Sequence, residues 1–152
     1  MKKNLFTFLS IITMIIGSIH YGYSQCRPKV IAKNCKSNME QFVYDAFVTN
    51  EIVFDSKDKK IELEFTAFAG EKYKLVFCTS GFTDSLKLNI YDKSSKVKKR
   101  NKVYDNQNGI ENLFWSFIPP KTGTFYIEYD VPATLDGATR KGCMVMLIGY
   151  EE

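Results

Sequence analysis

The sequence predicts an all-β fold, a sandwich or barrel of about seven or eight short strands, on three observations. From Phe42 onward the apolar residues recur with a period of two rather than the roughly 3.6 of a helix. The periodic runs are short. Turn signals built on Gly, Pro, Asn and Asp separate them, as at Ser80-Gly81, Asn108-Gly109, Lys121-Thr122-Gly123 and Asp136-Gly137. No stretch carries the apolar stripe of an amphipathic helix of ordinary length.

The elements follow in order. Val43 to Val48 and Ile52 to Phe54 make the first strand signals. In Lys60 to Thr66, Ile61, Leu63 and Phe65 alternate with polar residues, the pattern of a half-buried strand. After the Ala69-Gly70 turn, Tyr73, Leu75 and Phe77 line one face of the next strand, and Leu86, Leu88 and Ile90 repeat the alternation up to Asp92. Leu113, Trp115 and Phe117 do so again, stopped by Pro119-Pro120. Phe125, Ile127, Tyr129 and Val131 give the clearest alternation, opened by Thr122-Gly123 and closed at Pro132. Cys143 to Ile148 is a continuous apolar run, which predicts a strand buried on both faces. Residues 25–41, polar and lysine-rich over Arg27 to Ser37, are expected to form an irregular N-terminal arm on a single domain spanning 25–152.

Residues 1–24 have the grammar of a cleavable signal peptide. Lys2 and Lys3 precede an apolar run from Leu5 to Ile19, and Tyr23-Ser24 follows Gly22, with small residues placed for a cut before Gln25. The run is shorter than the ~20 apolar residues that span a bilayer, which disfavours a retained anchor. A lipid anchor at Cys26 is disfavoured too, because Tyr23-Ser24-Gln25 lacks the Leu and small residues of a lipobox. The expected location is periplasmic or secreted. Loss of the leader takes two lysines with it, and the net charge falls from +4 to about +2. The only histidine, His20, leaves as well. That excludes Ser-His-Asp and Cys-His nucleophiles and histidine-ligated metal sites from the remaining chain. No nucleic-acid partner is expected.

All four cysteines, Cys26, Cys35, Cys78 and Cys143, follow the leader. An even number in an exported chain predicts disulfides over a zinc site, which would want a CxxC pair that is missing. Four cysteines allow three connectivities. Sequence proximity favours Cys26 with Cys35, and hence Cys78 with Cys143. Chain entropy assigns roughly 2.7 kcal/mol to the short loop and about 4.3 to the long one.

Three segments together resemble the bacterial prepeptidase C-terminal domain family. Phe65 to Leu75 is similar to its strand-Ala-Gly-x-x-Tyr-x-Leu segment. Asp84 to Asp92 matches its D-x-x-L-x-x-Y-D strand, and Pro120 to Ile127 its Gly-Thr-aromatic strand. The likeness covers about residues 61–131. It implies a jelly-roll-like antiparallel β-sandwich of the kind that accompanies secreted enzymes, sometimes binding extracellular polymers or calcium. The four cysteines and the strand ending at Tyr150 depart from that pattern, and no enzyme is attached. The chain therefore looks like a free-standing relative, and an accessory role to a fused protease does not carry over.

Four constellations are candidates for function. Glu62 and Glu64 share a strand face about 7 Å apart, a spacing that can serve glycoside hydrolysis, but the better reading is the solvated face of a strand whose other face is Ile61, Leu63 and Phe65. Lys93, Lys96, Lys98, Lys99, Arg100 and Lys102 form the densest charge run, expected to cap a long hairpin and suited to a polyanion such as lipopolysaccharide phosphate or an acidic glycan. Asp84, Asp92 and Asp105, with Asn106 and Asn108, are weak calcium candidates without EF-hand spacing. Calcium is the single cofactor under consideration. Tyr104, Phe114 and Tyr126 fall on or near the outward phase of their strands and are candidates for stacking on sugar rings.

These features predict a non-catalytic exported module that binds a protein or glycan at the cell envelope. The alternatives are a carbohydrate-binding domain using the aromatics beside the basic loop and, more remotely, a histidine-free glycoside hydrolase.

Overall fold

The computed structural model describes residues 26–81, 86–106 and 114–152. The expected leader, His20, Asp84, Asn108 and Leu113 lie outside the described residues.

The chain forms eight described strands: β1 (Val43–Phe54), β2 (Lys59–Ala67), β3 (Tyr73–Ser80), β4 (Lys87–Tyr91), β5 (Lys102–Asp105), β6 (Phe114–Phe117), β7 (Gly123–Val131) and β8 (Arg140–Tyr150). They pair antiparallel into two four-stranded sheets, in the orders β1-β8-β3-β6 and β2-β7-β4-β5. Odd- and even-numbered strands alternate across each sheet, which is the winding of a jelly roll. The fold class predicted from the alternation is the one observed. The two front strand signals merge into the single twelve-residue β1.

Period-two patterning decides which side chains fill the space between the sheets. Leu75 and Phe77 from β3, Met144, Met146 and Ile148 from β8, Phe65 from β2, Leu88 and Ile90 from β4, and Ile127 and Tyr129 from β7 form one buried cluster. Toward β5 and β6 the filling is aromatic. Trp115 stacks on Phe117 with ring centroids 3.8 Å apart, and Phe125 meets both edge-on. β8 is buried on both faces as expected, because Cys143, Val145 and Leu147 point away from the sandwich into a second apolar cluster.

That second cluster corrects the irregular arm. Residues 28–35 form an α-helix, α1 (Pro28–Cys35), followed by a 3-10 turn at Lys36–Met39, and together they cover the outer face of the first sheet. Pro28 opens α1 where its missing N–H costs nothing. Ala32 and Met39 then pack on Val76, Val145 and Leu147. A helix this short is marginal alone, so packing and cross-links sustain it.

The cross-links correct the expected pairing. Cys26 is bonded to Cys143 and Cys35 to Cys78, with Cα separations of 5.3 and 6.4 Å. An eight-residue helix is about 12 Å long, which puts Cys26 and Cys35 at opposite ends and beyond disulfide reach. Cys78 and Cys143 share the outer face of neighbouring strands but are offset by two residues, Cys143 standing opposite Ser80. Each strand cysteine takes one end of α1 instead.

Beyond α1 the chain turns through Glu40, whose φ of 55° is the one positive value among the described non-glycine residues. The strain is offset by the Glu40 carboxylate, which accepts a hydrogen bond from Lys74 Nζ at 2.7 Å. The Lys74 side chain is only 3% exposed and lies over the rings of Phe42 and Phe114. Met39 reaches Gly149 so closely that a Cβ there would stand 2.5 Å from its Cε and 2.8 Å from the Val43 carbonyl oxygen.

Candidate functional site

On the outer face of the second sheet the strand registers bring polar residues into rows. Glu62 stands opposite Glu128, Glu128 opposite Asn89, and Asn89 opposite Asp105. Carboxylates directly opposite on neighbouring strands repel, so such a row requires cations. The hairpin between β4 and β5 supplies one by folding back over the sheet. Arg100 Nη2 donates to Glu128 Oε2 at 2.8 Å, and Nη1 lies 3.8 Å from Glu62. The Arg100 guanidinium also lies 3.7 Å from the centre of the Tyr91 ring. Lys60 closes the other side, its Nζ 2.8 Å from Glu128 and 3.1 Å from Asp130. Burial by itself would raise the Glu128 carboxyl, but the hydrogen bonds from Lys60 and Arg100 outweigh it and hold the group below the usual range. The bonds to Glu128 and Asp130 correspondingly raise Lys60.

Glu62 fixes the hairpin backbone. Its Oε1 accepts from the Ser94 hydroxyl at 2.9 Å and its Oε2 from the Ser95 amide at 2.7 Å. At the neck, Asp92 accepts from the Asn101 amide and side chain at 2.7 and 2.8 Å, which lowers its carboxyl. Residues 92–101 therefore form an arch fastened at its neck, over Glu62 and over Glu128.

The run of six cations expected to cap a long hairpin does so, but it divides into two kinds. Arg100 is committed to Glu128 and Tyr91, and Lys102 Nζ lies 3.1 Å from Asp105. Both charges are thus engaged by acidic side chains of the protein itself. Lys93, Lys96, Lys98 and Lys99 are exposed and make no ion pair among the described residues.

The other candidates disperse. Tyr104 pairs in register with inward-facing Ile90, packs against Trp115 at 5.7 Å and donates its hydroxyl to the Phe114 carbonyl. Phe114 is 55% exposed on the outer face of the first sheet, while Tyr126 lies on the outer face of the second, opposite Glu64 and Tyr91. Three aromatics on three different surfaces make no stacking platform. Asp92 and Asp105 are held by Asn101 and Lys102. Asn106 is a buried clip whose side chain accepts from the Leu88 amide and donates to the Leu86 carbonyl. Among the described residues no group of three or more acidic, cysteine or histidine side chains converges as a metal site.

Glu62 and Glu64 do share the outer face, but both oxygens of Glu62 are engaged by the arch. Neither glutamate lines either of two clefts that the described residues form on this sheet. The larger, about 560 Å³, lies over Lys59, Lys60, Lys87, Asp130 and Pro132, and the smaller, about 240 Å³, over Lys87, Asn89, Lys102 and Asp105. Glu128 and the two serines were not singled out from the sequence. Glu128 sits in the polar phase of β7 just as Asp130 does, and nothing local marks it as the buried one.

No helix among the described residues is long and apolar enough to cross a membrane. No protein-family model and no curated protein sequence matches the chain. Among solved structures, one likeness is to the crystal structure of Aeromonas hydrophila PliG, a periplasmic lysozyme inhibitor of g-type lysozyme. The identity is 13% and the TM-score 0.47, over 67% of this chain and 85% of that one.

Proposed function

We propose that this protein is an exported, non-catalytic β-sandwich module that binds an anionic partner, protein or glycan, at the bacterial cell envelope. Kinship with the prepeptidase C-terminal sandwiches is part of that reading. The observation that carries it is the arch over the second sheet, whose backbone is held by Glu62 and Asp92 and whose Arg100 side chain is held by Glu128, while Lys96, Lys98 and Lys99 project from it with no ion pair among the described residues. A loop already held in place loses little conformational freedom on binding, so its charges act on the partner at low entropic cost. The same arch speaks against a hydrolase, because a carboxylate whose two oxygens hold a loop is not poised to attack or protonate a sugar. The two disulfides suit an oxidising compartment.

The test is a binding panel of an acidic polysaccharide, peptidoglycan and purified envelope-directed proteins, a g-type lysozyme among them. It compares the wild type with a Lys96→Gln/Lys98→Gln/Lys99→Gln variant. At least one member should bind with a dissociation constant that weakens as salt rises, and the variant should lose that binding. Binding that the triple variant retains in full would remove the arch from the function.

A further inference from the structure

We infer that the tip of the arch docks on an anionic lipid surface, a phosphate-bearing bilayer face; this goes beyond the protein or glycan partner proposed above and rests on that reading only for the anionic character of what the arch binds. Two observations beyond the charge point there. Val97 is 43% exposed in the middle of the tip, flanked by Lys96, Lys98 and Lys99. Its amide donates to the Ser94 carbonyl at 2.9 Å, so the apolar side chain is presented by a closed turn and not by a loose chain. The two clefts described on this sheet are lined by residues other than those of the tip, whose side chains at 95–99 are exposed. A projecting turn with cations around an apolar centre matches a flat layer of phosphates over acyl chains. The lysines stay with the headgroups, and the valine enters the boundary beneath them.

The charge balance supports the same occupant. With Arg100 neutralised by Glu128, Lys102 by Asp105, and Lys93 beside the ionised Asp92, the field at the tip is set by Lys96, Lys98 and Lys99. Each lysine near an anionic leaflet strengthens binding about fivefold at moderate salt, so three of them account for roughly a hundredfold. Exposed Val97 adds a few-fold that salt does not screen.

The experiment is vesicle co-sedimentation with protein exported and purified from the complete coding sequence. Vesicles of phosphatidylcholine alone are compared with vesicles in which about a third is phosphatidylglycerol. Soluble polyphosphate serves as the lipid-free anion. The wild type should sediment with the anionic vesicles only. Lys96→Gln/Lys98→Gln/Lys99→Gln should lower that affinity roughly a hundredfold. Val97→Ser should lower it about fivefold and leave polyphosphate binding unchanged. All variants should melt with the wild type, since these side chains are exposed and unpaired. Binding to polyphosphate or an acidic polysaccharide without binding to vesicles would overturn the lipid assignment while leaving the anionic-partner reading intact. Vesicle binding indifferent to Val97→Ser would overturn it also. Failure to bind any of these anions would bring down both.

Discussion

Arg100 Nη2 lies 2.8 Å from Glu128 Oε2, and this contact closes the β4–β5 hairpin over the sheet that carries it. The Glu128 side chain is only 2% exposed and that of Arg100 19%. Removing one partner strands the other charge in a poorly solvated place, which costs far more than a surface pair. Glu128→Ala should destabilise the protein by about 3 kcal/mol in urea unfolding.

The pH dependence of this contact has a definite sign. The folded carboxyl of Glu128 lies below its ordinary value of 4.5. Its contribution is therefore fully present above that value and is lost as pH falls through the lower folded one. Melting curves taken downward from neutral pH should show stability falling in that acid window, with a shallower fall in Glu128→Gln.

Glu62 anchors the arch without belonging to the core. Glu62→Ala should leave the melting temperature nearly unchanged while hydrogen exchange at the Ser95 amide, which Glu62 accepts at 2.7 Å, speeds up markedly. In glycosidase screens, turnover by the wild type that disappears in Glu62→Gln would overturn the non-catalytic reading.

Peptide mapping under non-reducing conditions should recover Cys26 linked to Cys143 and Cys35 linked to Cys78. The bridges close sequence separations of 117 and 43 residues. The chain-entropy model then assigns about 5 and about 4 kcal/mol to them. Replacing Cys35 and Cys78 together by Ala should lower unfolding stability by an amount of that order and release the end of α1.

Gly149 is required by its neighbours and not by its backbone angles. Gly149→Ala places a methyl against Met39 Cε and the Val43 carbonyl. The methionine can swing away and the carbonyl cannot, so a loss of about 1–3 kcal/mol is expected in thermal unfolding.

Tyr129 buries its hydroxyl in the core with no hydrogen-bond partner among the described residues, and burial pushes its phenol well above the usual range. Tyr129→Phe removes an unmet polar group, so stability should be equal to the wild type or higher by up to about 1 kcal/mol. Spectrophotometric titration should show no change in the number of tyrosines that ionise before alkaline unfolding.

The local sequence determined the sandwich. Alternation at Ile61-Leu63-Phe65, Tyr73-Leu75-Phe77 and Phe125-Ile127-Tyr129 sets which face of each strand is buried, because a pleated strand turns every second side chain to the same side. It also placed the basic run on a hairpin, since turn residues and strand ends are local features. The arm over residues 26–41 was not legible. Its short helix has little propensity to stand alone, and it exists because Val76, Val145 and Leu147 offer it an apolar face and two strand cysteines hold its ends. Nor could spacing separate Arg100 from its neighbouring lysines. Their difference lies in Glu128, 28 residues away in sequence, which the strand register brings beneath the arch. Periodicity is written into a chain residue by residue. The pairing of cysteines and the sorting of free from committed charges depend on which strands meet, and only the tertiary structure decided that.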